Sequence, residues 1–119
     1  MKPTIDNKIE FTKLIKEVVA QSAIDDTIDT LNDPPGRKPA EDLLAQSKWY
    51  KGLDPVDREM VNEILADAVH GAVFEFLCVL DGVRSISGPG EYNELNLSRC
   101  GVQLNDESGE YLHDIYNNL

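Results

Sequence analysis

The chain has 119 residues, 41% of them hydrophobic and 28% charged, with a formal net charge of −11. A chain of this length suits one domain that buries about two thirds of its unfolded surface, so it needs no disulfide or metal staple to fold. The composition excludes a disordered chain, and the charge disfavours nucleic acid and anionic membranes, whose phosphates such a surface repels.

The first element reads as a helix from about Asn7 to Leu31, with Asp6 or Asn7 as its cap. Phe11, Leu14, Ile15, Val18 and Ser22 share one face at 3.6-residue spacing. After Ala23 the stripe rotates, because Ile24, Ile28 and Leu31 fall on another face. The helix therefore bends there, or its second half meets a different neighbour. The segment 32–39, NDPPGRKP, breaks the pattern: its prolines lack an amide donor and Gly36 permits a turn.

A second helix is expected from Pro39 to Lys51. Pro39 stands at its first position, Leu43, Leu44 and Ser47 face inward, and Gly52 closes it in the left-handed conformation. The third start signal is the clearest. Asp54 is an N-cap, Pro55 a first-turn proline, and Asp57 and Glu59 complement the helix dipole. A helix from Pro55 to Leu80 or Asp81 follows, roughly 40 Å long, which we expect to be the central helix. Val61, Leu65, Ala68, Val69, Ala72, Phe76, Val79 and Leu80 form its broad apolar stripe, which makes Phe76 a core candidate. Glu63, Asp67, His70 and Asp81 lie opposite. Phe74 and Leu77 make the last turns apolar nearly all round. An alternative reads Ala72–Leu80, Asp81-Gly82 and Val83–Ile86 as a hairpin, since Asp-Gly between apolar runs favours one. The unbroken helical period from Val61 to Val79 favours the helix, with Gly82 as its cap.

Segment 84–94 reads as a loop. Leu95, Leu97, Val102 and Leu104 then alternate with polar residues around Cys100-Gly101, which predicts a small hairpin that must pack on the helices. Asn105 to Ser108 offers caps for a last short helix bearing Leu112, Ile115, Tyr116 and Leu119. The expected fold is mainly α (α+β): three to four helices around one long central helix, with a small C-terminal β-hairpin and a short terminal helix, in a single domain 1–119.

No stretch approaches the roughly 20 apolar residues of a membrane span, and the acidic N-terminus lacks the apolar core of a signal peptide. A cytoplasmic location is expected, where Cys78 and Cys100 stay reduced. Residues 1–59 carry a net charge of −3 and residues 60–119 a net charge of −8. That asymmetry favours a basic partner.

Three groups of residues carry candidate chemistry. Asp67 with His70, and Glu110 with His113, are carboxylate-x-x-His pairs, each on one helix face and able to share an ion. Di-iron carboxylate bundles use a similar spacing, but with ligands facing the core, whereas Asp67 and His70 lie opposite the apolar stripe. Arg37 and Lys38 form a basic spot before a helix N-terminus, where backbone amides hold anions. Without GxxxxGK[ST], nucleotide hydrolysis is not supported. Trp49 and Tyr50 beside Lys48 and Lys51 have the character of contact anchors. No serine or cysteine sits in an active-site signature, so the reading leans against an enzyme. The leading expectation is a non-catalytic, inhibitor- or immunity-like module that docks a basic protein through Trp49, Tyr50, Glu107, Glu110 and Asp114. A metal protein using Asp67, His70, Glu110 and His113, and an anion or small-molecule site at Arg37–Lys38, are the alternatives. No cofactor is expected beyond that metal ion.

Overall fold

In the computed structural model, which describes residues 4–86 and 95–119, helices dominate. The chain runs through α1 (Thr4–Leu14), a π-helical segment (Ile15–Gln21), α2 (Ser22–Asn32), α3 (Glu41–Gly52) and α4 (Pro55–Leu80). A two-stranded hairpin follows, β1 (Ser98–Arg99) and β2 (Val102–Gln103), and then α5 (Leu112–Asn117). The mainly α fold with a long central helix, a small hairpin and a short last helix is therefore the observed one. Most of the 84–94 loop lies outside the described residues.

The first helical run starts at Thr4, so Asp6 and Asn7 stand inside it rather than capping it. The rotation of its stripe has a structural cause. A π-helical stretch takes more residues per turn than an α-helix, so it turns the inward face along the helix. Lys8 and Thr12 are buried before it, and Ala20 and Ile24 within and after it. Val18, expected to face inward, is 63% exposed, and Ser22 is exposed as well.

α3 starts two residues later than expected. Ala40 takes an extended conformation and Pro39 stays outside the helix. Gly52 is not the left-handed cap either: it is the last helical residue, and Leu53 leaves in an extended conformation. Ser47 ties α3 to α2 by donating from Oγ to the Leu31 carbonyl at 2.7 Å. Leu44, placed inside by the sequence pattern, is exposed.

α4 begins as its signal requires. An Asp54 carboxylate oxygen accepts the Asp57 amide at 3.0 Å, and Pro55 takes the first position. The helix runs unbroken to Leu80, which decides against the hairpin reading of 72–86. Gly82 has φ +78°, and the amides of Val83 and Arg84 return to the Cys78 carbonyl at 3.1 and 3.3 Å. That geometry is a helix stop of the left-handed kind.

The hairpin pairs Ser98 with Gln103 and Arg99 with Val102 in antiparallel register. Cys100 (φ +52°) and Gly101 (φ +79°) form its two-residue turn, the arrangement whose twist matches the strands. Asn105, expected as a helix cap, instead ties the two ends of the hairpin to the end of α4. Its Nδ2 donates to the Leu80 carbonyl at 2.7 Å and its Oδ1 accepts the Leu97 amide at 2.8 Å.

The core sits against the C-terminal half of α4. Ala20, Leu77, Leu112 and Tyr116 form its buried centre, with Phe11, Val69, Val73, Phe74, Leu80 and Leu97 packed around them. Phe76 is not part of it. It is 61% exposed, while its neighbour Leu77 is 1% exposed. The covered face of α4 drifts around the helix as it passes from α2 to α5, so the straight stripe read from the sequence misses it by a residue. The molecule is extended, with principal dimensions of 50 × 37 × 29 Å and a radius of gyration of 18.3 Å. A compact domain of this length has a radius of about 13.5 Å.

Candidate functional site

Two polar clusters fasten the short C-terminal segment to the helices, and they account for both histidines. At the end of α4 the Asp81 side chain, 1% exposed, accepts from the His113 amide at 2.9 Å and from His113 Nδ1 at 2.7 Å. Asp81 thus caps α5 from a distance, since its carboxylate meets an amide in the first turn. The imidazole is held between Phe74, edge-on at 5.6 Å, and Tyr111, stacked at 5.3 Å. One face earlier on α4, His70 Nδ1 lies 2.6 Å from the Tyr116 hydroxyl. Burial pushes the Tyr116 phenol above its ordinary pKa. The protonated phenol and the imidazole nitrogen share one hydrogen bond.

Lys8 anchors the loop before α5. Its ammonium is almost wholly buried and donates to the carbonyls of Ser108 at 2.5 Å, Asp106 at 3.3 Å and Glu110 at 3.4 Å. It also pairs with the Asp106 carboxylate at 2.8 Å. The hydrogen bond from Lys8 is the main cause holding Asp106 below the ordinary carboxylate range. This buried lysine acts as an internal cation around which residues 106–110 wrap. No spacing signal in the sequence marks it, since a lone lysine on an N-terminal helix reads as solvated.

The carboxylate-x-x-His residues are not brought together. His70 is engaged by Tyr116 and His113 by Asp81, while Asp67 and Glu110 are exposed. Among the described residues no three His, Cys, Asp or Glu side chains converge on a point where an ion would sit. Arg37 and Lys38 are exposed on the loop before α3, whose first helical residues are Glu41 and Asp42. Carboxylates in that first turn compete with an anion for the same amides.

The contact anchors divide. Trp49 is 59% exposed, but Tyr50 is 3% exposed and its hydroxyl donates to Asn62 Oδ1 at 2.8 Å. Tyr50 is thus a strut between α3 and α4 and not a surface anchor. Glu107, Glu110 and Asp114 are exposed. Both cysteines are free thiols. Burial pushes the Cys78 thiol up, and Asp81 and Glu75 add to the effect, the opposite of what a nucleophilic thiolate needs.

Hollows mark the surface among the described residues. One of about 260 Å³ lies between α2 and α3, lined by Asp26, Thr27, Thr30, Leu31, Leu43 and Gln46. Another of about 200 Å³ lies beside His70 and Tyr116, with Lys16, Phe74 and Asn117 on its walls. Neither gathers a nucleophile with a base. Among the described residues, no helix is long and apolar enough to cross a membrane.

The chain matches no protein-family model, no curated protein and no solved structure.

Proposed function

We propose that this chain is a non-catalytic protein-binding module, inhibitor- or immunity-like in character, that docks a basic protein partner in the cytoplasm. One observation carries the reading: large apolar side chains stand exposed in a strongly acidic chain. Trp49, Val56, Met60, Ile64 and Phe76 are each more than half exposed, while the net charge is −11. The accessible surface is 8248 Å², against about 6,500 Å² for a compact monomer of this mass. Exposed apolar groups rimmed by charge mark interaction surfaces. The charge speeds encounter with an oppositely charged partner, and burial of the aromatic and aliphatic anchors then holds the complex.

The test is capture of a stoichiometric partner from a lysate of the source cells, followed by association kinetics on the purified pair. We expect a basic protein whose association rate falls about tenfold or more between low and physiological salt. Trp49→Ala should speed dissociation. A partner that is acidic, or an association rate indifferent to salt, would overturn the reading.

A further inference from the structure

α4 presents Val56, Met60, Ile64, Ala68, Ala72 and Phe76 at successive four-residue steps, all exposed. This row winds round the helix by about 40° a step, so that Met60, Ile64, Ala68 and the exposed Gly71 share one outer face. Residues four apart form a continuous ridge, inclined to the helix axis, of the kind that two helices interleave when they pack. The shared face runs from Met60 to Gly71 and is about 16 Å long, which three turns of a partner helix cover. It is tall at Met60 and Ile64 and low at Ala68 and Gly71.

Gly71 is the second observation. It lies within a regular helix at an exposed position and has no positive φ. A Cβ placed on it meets nothing within 4 Å. Glycine weakens a helix relative to alanine, and no neighbour among the described residues lies close enough to require the space. A second backbone crossing at the low end of that face does require it.

Charge identifies the occupant. Glu59, Glu63, Asp67 and Glu75 each precede a ridge position by one residue, and all are exposed. They form an acidic row beside the apolar one, with Glu75 also paired to Arg84. Arg58 is the only lysine or arginine in α4, and it is half-buried outside this row. A second copy of α4 therefore brings the row more carboxylates and no exposed cation.

We propose that this face of α4 is the docking surface for a basic amphipathic helix of the partner protein. Small residues of that helix sit on Ala68 and Gly71, and its apolar side chains meet Met60 and Ile64. Its lysines or arginines lie along Glu59, Glu63 and Asp67. The inference rests on the reading of the chain as a protein-binding module and adds the face and the partner's chemistry.

The probe is a synthetic helical peptide of about 20 residues, built from leucine and lysine so that leucines line one face. A leucine–glutamate peptide of the same pattern is the control. Binding to the full chain is followed by titration calorimetry. The expected result is one lysine peptide per chain, weakened by roughly 0.3 M salt, and no binding of the glutamate peptide. Gly71→Leu fills open space, so circular dichroism and the urea midpoint should show an intact fold while affinity falls about tenfold or more. Glu107→Gln with Glu110→Gln, away from α4, should leave the affinity unchanged.

Affinity that survives Gly71→Leu but falls with the Glu107 and Glu110 changes would overturn the α4 assignment and leave the binding-module reading standing. A chain that sediments as a dimer, and that Gly71→Leu converts to a monomer, would overturn it in favour of a second copy. Loss of the salt-sensitive partner in the lysate experiment would remove the broader reading instead.

Discussion

At the residue scale, the least legible feature is Lys8. It replaces its hydration with three carbonyls and one carboxylate, an arrangement assembled from residues about a hundred positions away. Removing one partner of a buried pair costs more than the pair itself contributes. Lys8→Met should therefore destabilise the fold by about 3 kcal/mol, read as a lowered urea midpoint. Asp106 gives the matching pH dependence. Its pKa is depressed in the folded chain, mainly by the hydrogen bond from Lys8. Its contribution is complete above the unfolded carboxylate value near 3.9 and disappears as pH falls through the folded value. Asp106→Asn should flatten the loss of stability seen on acidification below about pH 4. The Asp81–His113 clasp follows the same logic, since the buried carboxylate satisfies two donors on α5. Asp81→Ala should cost about 2–3 kcal/mol and leave the amides of α5 exchanging faster than those of α1. The sequence marked His113 as interesting but joined it to Glu110 by spacing. The structure joins it to Asp81, because a short helix without a local cap takes one from a neighbouring element.

At the scale of the element, helix limits were readable where a local signal existed. The Asp54-Pro55 start of α4, the stop at Gly82 and the Cys100-Gly101 turn each depend on one or two residues whose conformational preferences are strong. The inward faces were less readable, because a face is defined by what covers it. On α4 the pattern pointed to Phe76, and the packing selects Leu77. Leu77→Ala should lower stability by about 2–5 kcal/mol, whereas Phe76→Ala should fall within about 0.5 kcal/mol of the parent. Comparing the two denaturation midpoints tests the assignment directly. The hairpin turn offers a gain. Cys100 holds a positive φ without being glycine, so Cys100→Gly should raise stability by about 0.5–1 kcal/mol.

At the scale of the whole molecule, a net charge of −11 in an extended body, with acids concentrated after residue 59, makes self-repulsion a measurable term. The melting temperature of the free chain should rise as salt is added up to roughly 0.15 M, where the screening length is about 8 Å. The sequence by itself determined the balance of charge, the helical class, the breaks at 32–39 and after Leu80, and the single long helix. Each of these follows from composition, or from backbone preferences acting over a few residues. Tertiary structure alone decided which face of α4 is covered, how the π-helical segment turns the first helix, and that both histidines serve α5. It also decided that a face of α4 carrying Met60 and Ile64, with Gly71 at its low end, stays open to solvent. Those outcomes depend on which distant segments meet, and burial is a property of both partners in a contact, so no local pattern contains it.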